Sequence, residues 1–154
     1  MKIGKRMTAK LLLAGIIIAS CEIAFAQPNA GLDFKSTLQK HLNAITNRNL
    51  NGIAATVSDS VTLIFPDGEL LQSKEKFVAF HKNWFDDKLW KMTILSVSTK
   101  ESSTLSHALV KYHYIETNND KTIKSESHTY LLLIFSKEKS GWRLLHDQNT
   151  KITL

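Results

Sequence analysis

The side chains of this chain that are equipped to move protons stand late in the sequence and at even spacing. Tyr112 and Tyr114 are two apart, His128 and Tyr130 are two apart, and His146 is followed at the same interval by Gln148 and Thr150. An imidazole can take a proton from a carbon beside a carbonyl, and a phenol can donate a hydrogen bond to the oxyanion that forms. His146 or His128 as base, with Tyr112 or Tyr130 as donor, therefore meets in residue type what an isomerisation requires. Tyr114, Trp84, Gln148 and Thr150 add the aromatic and hydrogen-bonding surface that a small-ligand pocket uses. A purely structural use competes with this one: a histidine bonded between sheet and helix, and tyrosines filling a core with their hydroxyls at its edge.

Other chemistries find less support. His41, His81, His107, His113, His128 and His146 include no pair at the i, i+4 spacing of a helix or the i, i+2 spacing of a strand, so no metal site is expected. Cys21 is the single cysteine, no serine stands in a Gly-x-Ser-x-Gly elbow, and no glycine loop suits a phosphate; no cofactor is expected. The formal charge of +6 comes from lysines scattered among acids, without a basic run interleaved with aromatics, which argues against nucleic acid as a partner.

The elements that must position these residues follow from periodicity. Asp33 can cap a helix over 34–48, in which Phe34, Leu38, Leu42 and Ile45 recur at helical spacing. A second, shorter helix is expected over 49–58, with Leu50, Ile53, Ala54 and Val57 on one face and Gly52 weakening it. Val61 to Phe65 reads as a strand ending at the turn Pro66-Asp67-Gly68. Ser73 can cap a third helix to about Phe85, with Phe77, Phe80, His81 and Trp84 on one stripe; Trp84 and Phe85, being adjacent, cannot both face inward. Four strands follow, over 90–101, 106–117, 122–136 and 142–150, with turns at Asn118-Asn119-Asp120 and Lys139-Ser140-Gly141.

This order is α+β, with helices gathered on one side of a largely antiparallel sheet. Strict alternation on the last strand puts Trp142, Leu144, His146, Gln148 and Thr150 on one face, the choice for the concave side, and turns Asp147 away from them. Tyr112 and Tyr114 share a face that also suits a cavity, whereas the strand of His128 and Tyr130 is polar at its start and apolar at its end on both faces, so alternation does not decide it. Glu116, close to the Asn118 turn, reads as a solvated surface acid.

The first residues form a leader. Lys2, Lys5, Arg6 and Lys10 precede the apolar stretch Leu11 to Ala19, the pattern of a signal peptide and too short for a comfortable membrane span. Ala24-Phe25-Ala26 is a small-x-small cleavage site that leaves Gln27 first, while Ile18-Ala19-Ser20-Cys21 resembles a lipobox that would lipidate Cys21 and anchor the chain to a membrane. Cleavage after Ala26 is the expectation adopted, since Glu22 to Ala26 would be an unusually apolar start to a lipoprotein tether. Residues 1–26 are then a signal peptide and 27–154 a single exported domain, periplasmic or secreted, without a thiol.

From about Leu32 to Ile152 the chain resembles the nuclear transport factor 2-like superfamily, in its SnoaL-like and calcium/calmodulin-dependent kinase association-domain branch. Asn49-Leu50-Asn51-Gly52-Ile53 before Ser60-Val61-Thr62-Leu63 carries the resemblance, with Gly141-Trp142-Arg143-Leu144-Leu145-His146-Asp147-Gln148-Asn149-Thr150 at the end. Family members often have a second histidine where Gln148 stands and a serine where Thr150 stands, so a paired-histidine site is absent. What the resemblance implies is a cone-shaped, cystatin-like fold whose curved, mixed, mostly antiparallel sheet wraps around N-terminal helices and leaves a cavity at its wide end. Three uses follow: binding an apolar or amphipathic small molecule, catalysis of a ketosteroid-isomerase-like or polyketide-cyclase-like kind, or association into a homodimer.

Overall fold

A computed structural model describes residues 33–152. The expected leader, the two processing signals read from the sequence and Cys21 lie outside the described residues. Helix α1 spans Phe34–Thr46 and starts where Asp33 accepts a hydrogen bond from the Ser36 amide at 2.7 Å. Its buried stripe is Phe34, Leu38, Leu42 and Ile45, with Thr37 and His41 between them. Helix α2, Leu50–Thr56, is capped by Asn49 and lies so close to α1 that a Cβ on Gly52 would come within 2.8 Å of the Ala44 Cβ. Arg48, between the two helices, holds a left-handed backbone (φ 54°) while its guanidinium lies 4.0 Å from the Trp90 ring centre and donates to the Trp90 carbonyl.

Strand β1, Val57–Ile64, follows α2 without a loop. Val57, expected on the apolar face of the second helix, instead opens this strand and pairs with Leu144, a place that suits its β-branched side chain. The Phe65–Gly68 turn, with Gly68 at φ 91°, returns the chain into β2, Leu70–Gln72, a three-residue edge strand that periodicity does not reveal. Helix α3, Lys74–Asp86, is capped by Ser73 as expected. Strands β3 (Trp90–Lys100), β4 (Leu105–Thr117), β5 (Ile123–Glu138) and β6 (Gly141–Lys151) complete a six-stranded sheet in the order β2-β1-β6-β5-β4-β3. Only β1 and β6 run parallel; the other neighbours are antiparallel, giving the mixed, open, curved sheet of a cystatin-like α+β fold.

The core lies between the helices and the concave side of the sheet. Phe34 meets Phe135 and Trp142 edge-on at 5.5 and 5.7 Å between ring centres, and Val110, Leu133, Phe135 and Leu144 are fully enclosed. Each such side chain contributes about 1.5–3 kcal/mol of burial, enough together to hold helices on one face of the sheet. Among the described residues no helix is long and apolar enough to cross a membrane.

Candidate functional site

One local irregularity decides what faces the cavity. Along β6, Phe135 of β5 pairs with Leu144, yet Ile134 pairs with His146, so Leu145 has no opposite number. This is a β-bulge, and beyond it the alternation is inverted. Trp142 and Leu144 point into the core as the sequence suggests, but Asp147, Asn149 and Lys151 then take the concave side while His146, Gln148 and Thr150 turn to the outer face. The expectation that His146 faces the cavity and Asp147 faces away is corrected accordingly.

Where the helices end, the concave side opens into a pocket of about 340 Å3. Its walls are Phe65, Phe80 and Trp84 on one side and Met92, Tyr112, Tyr114, Thr129 and Leu131 on the other, with Asp147 and Asn149 on the sheet between them. The volume lies toward the lower end of the range for small-molecule sites, about 300–1,000 Å3. Helix α3 divides its aromatic residues: Phe77 and Phe85 are buried in the core, whereas Phe80 and Trp84 stack with 5.9 Å between centres and line the pocket. Trp84 also stacks on Trp90 at 4.3 Å and donates to the Tyr114 hydroxyl at 3.4 Å, which ties the helix to β3 and β4. A wider groove of about 680 Å3 runs along α1 and α2, but it is an open polar surface and contains no buried titratable group.

Asp147 is only 4% exposed, and its carboxyl accepts a 2.9 Å hydrogen bond from the Asn149 side-chain amide. The Asn149 oxygen in turn accepts from the Tyr112 hydroxyl at 2.9 Å, so the three side chains form a chain that ends on the acid. Burial pushes the Asp147 carboxyl up to about 7, and the Asn149 hydrogen bond offsets only part of that. The physical cause is desolvation: an ion removed from water without a counter-ion costs several kcal/mol, so the neutral form is favoured. Burial likewise pushes Tyr112 up to about 12, which keeps its hydroxyl a donor.

His81 on α3 also lines the pocket. Its Nδ1 lies 2.8 Å from the Phe77 carbonyl, which can only accept, so Nδ1 carries the proton and Nε2 is left as an acceptor. Burial holds it down to about 4, and it is neutral at physiological pH. Deeper still, His41 bridges α1 and α2 through a 2.8 Å contact from Nδ1 to the Thr56 hydroxyl, and burial first, then neighbouring His81, lowers it to about 3.

Residues 35–149 match the family model of the SnoaL-like domain. The chain belongs to that family. The SnoaL-like domain here is also similar to solved structures of the same fold. An uncharacterised cystatin-like protein from Caulobacter vibrioides is 16% identical over 77% of this chain and 87% of its own, with a TM-score of 0.66. A proposed calcium/calmodulin-dependent protein kinase type II association domain from Thiobacillus denitrificans is 13% identical over 80% of this chain and 98% of its own, with a TM-score of 0.66. A proposed dehydratase of the nuclear transport factor 2-like family from Streptomyces avermitilis is 7% identical over 78% of this chain and 94% of its own, also at 0.66. At these identities the likeness is one of fold. None of the curated proteins compared matches the chain.

Within this SnoaL-like domain, three of the residues picked from sequence, Tyr112, Tyr114 and Trp84, line the pocket together. The others do not join them. His146 bonds Thr62 of β1 through a 2.6 Å contact on the outer face, beside Gln148 and Thr150. His128 and Tyr130 also lie outside, because Thr129 and Leu131 take the inward positions of β5. There His128 stacks on His113 at 4.7 Å, and His113 contacts Glu126 at 2.6 Å. Among the described residues no group of three or more histidine, cysteine or acidic side chains is placed to hold a metal ion. Glu116 pairs with Lys124 at 2.5 Å away from the pocket. Asp147, Asn149 and His81 are the site residues that sequence reasoning missed. The consecutive apolar pair Leu144-Leu145 is the one sequence signal that alternation breaks just ahead of Asp147.

Proposed function

We propose that this SnoaL-like domain binds an apolar or amphipathic small molecule in the pocket and carries out acid–base chemistry on it, with Asp147 moving the proton. The observation that supports this reading is the position of Asp147, a buried carboxyl without a cationic partner among the described residues, on the wall of a largely apolar and aromatic cavity, with its pKa raised to about 7. A group whose pKa lies near the working pH can both take and return a proton. On a ketone, the carboxylate removes a proton from the carbon beside the carbonyl, and the Tyr112 hydroxyl turns from Asn149 to the oxygen where charge develops. Protonated Asp147 then returns the proton at another carbon of the conjugated system, yielding an isomer. On a β-hydroxy ketone the same returned proton goes to the leaving oxygen and water departs, the reaction class in the name of the Streptomyces relative.

Two simple ketones test this. Conversion of 3-cyclohexen-1-one to its conjugated isomer, followed by ultraviolet absorbance, and deuterium uptake by 2-tetralone, followed by NMR, both report proton removal beside a carbonyl. Asp147→Asn is expected to slow the catalysed reaction by about 10²–10⁴. Rates no faster than in buffer, or equal rates in the two proteins, refute the catalytic reading.

A second reading rests on a different surface. The outer sheet face exposes Leu95, Leu109 and Tyr130 at 49%, 42% and 41%, with the half-buried Leu132 and Ile134 nearby, an apolar patch of the kind that marks an interface. The Thiobacillus relative is named an association domain, which supports self-association, and the patch is the surface through which we propose a homodimer. Light scattering coupled to size exclusion should give twice the chain mass for the wild type and the chain mass for Leu109→Lys; a wild-type monomer at high concentration removes this reading.

A further inference from the structure

The far end of the pocket carries a feature that acid–base chemistry at Asp147 does not use. Lys151 lines the cavity, on the same face of β6 as Asp147 and Asn149 and paired across the sheet with Thr129, another lining residue. Lys151 lies four positions beyond Asp147 on the strand, roughly 13 Å along the sheet at about 3.3 Å per residue. It is the one lysine or arginine among the described lining residues. The ion pairs formed by Lys35, Lys74 and Lys124 do not include it, and no attraction from it lowers the Asp147 pKa. The ammonium is thus neither the counter-ion of the buried acid nor held by another carboxylate among the described residues. The remaining polar groups of the pocket are neutral or nearly so at physiological pH, His81 because burial suppresses its protonation and Tyr112 because burial suppresses its ionisation.

We propose that the pocket takes an amphipathic carbonyl compound with a carboxylate at one end, the carboxylate pairing with Lys151 at one end of the cavity while the carbonyl lies at Asp147 and the apolar body lies against Phe80 and Trp84. The proposal rests on the small-molecule reading of the pocket and adds its substrate class. An apolar body fits the aromatic wall, a carbonyl fits the Tyr112 hydroxyl as donor with the carbon beside it at Asp147, and an anion fits the free ammonium. A ligand with a second cation at its far end is disfavoured by the same charge.

The probes are 6-oxo-6-phenylhexanoate and its methyl ester, which differ in the terminal charge and share the aryl ketone. Isothermal titration of the protein as purified from its native host with each should show the acid binding about tenfold or more tightly than the ester, since a charge-assisted hydrogen bond is the added contact. In Lys151→Met, which keeps the apolar stem, the ratio of the two affinities falls to near one; in Lys151→Arg it is retained. Raised salt narrows the wild-type ratio. Equal binding of acid and ester by the wild type, or an undiminished ratio in Lys151→Met, overturns the carboxylate proposal while leaving the pocket reading standing. Binding of neither probe by a folded wild type overturns both.

Discussion

Replacing Asp147 by asparagine should make the protein more stable, and by an amount that grows with pH. The side chains are nearly isosteric, and the asparagine oxygen can still accept from Asn149, so the contact at 2.9 Å is preserved. What disappears is the titration. In the folded protein Asp147 ionises at about 7, against 3.8 for an ordinary aspartate. A raised folded pKa means that the native state holds its proton after the unfolded chain has released it, so stability is lost as pH rises from 3.8 through about 7. At about 1.4 kcal/mol per unit, the full loss is about 4 kcal/mol, of which about 3 kcal/mol falls between pH 5 and pH 8. Asp147→Asn should therefore gain about 3 kcal/mol on the wild type over that interval. Urea unfolding, followed by the fluorescence of Trp84, Trp90 and Trp142, would register this as a change of about 1 M or more in the separation of the two midpoints. Curves that stay parallel from pH 5 to pH 8 would refute the claim that Asp147 is buried without a counter-ion.

Other buried groups of the fold carry expectations of the same kind. His41 and His81 are lowered to about 3 and about 4 from 6.5, so the unfolded chain protonates first and stability falls as pH drops below 6.5, by about 2 kcal/mol for each at pH 5. Asp147 acts in the opposite sense between pH 3.8 and about 7, where the two histidines together outweigh it from about pH 5 upward until they lose their own effect, so the stability maximum falls near pH 7, and His81→Phe should halve the histidine-dependent loss in acid urea titrations. Gly52→Ala should cost about 1–3 kcal/mol of unfolding free energy, because its Cβ would sit 2.8 Å from that of Ala44. Tyr112→Phe frees the Asn149 oxygen and should cost about 1 kcal/mol in urea unfolding. If the leader expected from the sequence is removed after Ala26, the intact mass of the protein purified from its native host corresponds to a chain starting at Gln27; an unprocessed mass or a lipid on Cys21 would overturn that expectation.

Much of the fold was legible because the main elements carry clean periods. Asp33 and Ser73 announce two helix starts, and Phe34, Leu38, Leu42 and Ile45 mark a face that only a 3.6-residue repeat brings together. Strands β3 to β6 are long, bounded by turn residues, and fall within a few residues of where the pattern puts them. Strand β2 has three residues, too few for a period, and Val57 fits either the end of a helix or the start of a strand until its pairing with Leu144 is known.

The site was less legible, for a reason of geometry. A period of two is reliable until one residue is inserted, and then every later side chain changes face. Leu145 is that residue: Tyr112, Tyr114 and Trp84, which do not depend on it, line the pocket, whereas His146, Gln148 and Thr150, which do, lie outside. The raised pKa of Asp147 was hidden too, since it comes from the burial of one carboxyl, a property of the packed molecule and of no local segment.

The central claim, that a buried acid in the pocket is poised to exchange protons near neutral pH, can be read directly. Carbon-13 NMR of protein labelled at the aspartate side-chain carboxyl carbons should contain one resonance that titrates at about 7 and is absent from Asp147→Asn. If every aspartate carboxyl titrates below about pH 5, in the ordinary range for exposed acids, Asp147 is solvated and the proposed chemistry has no proton carrier.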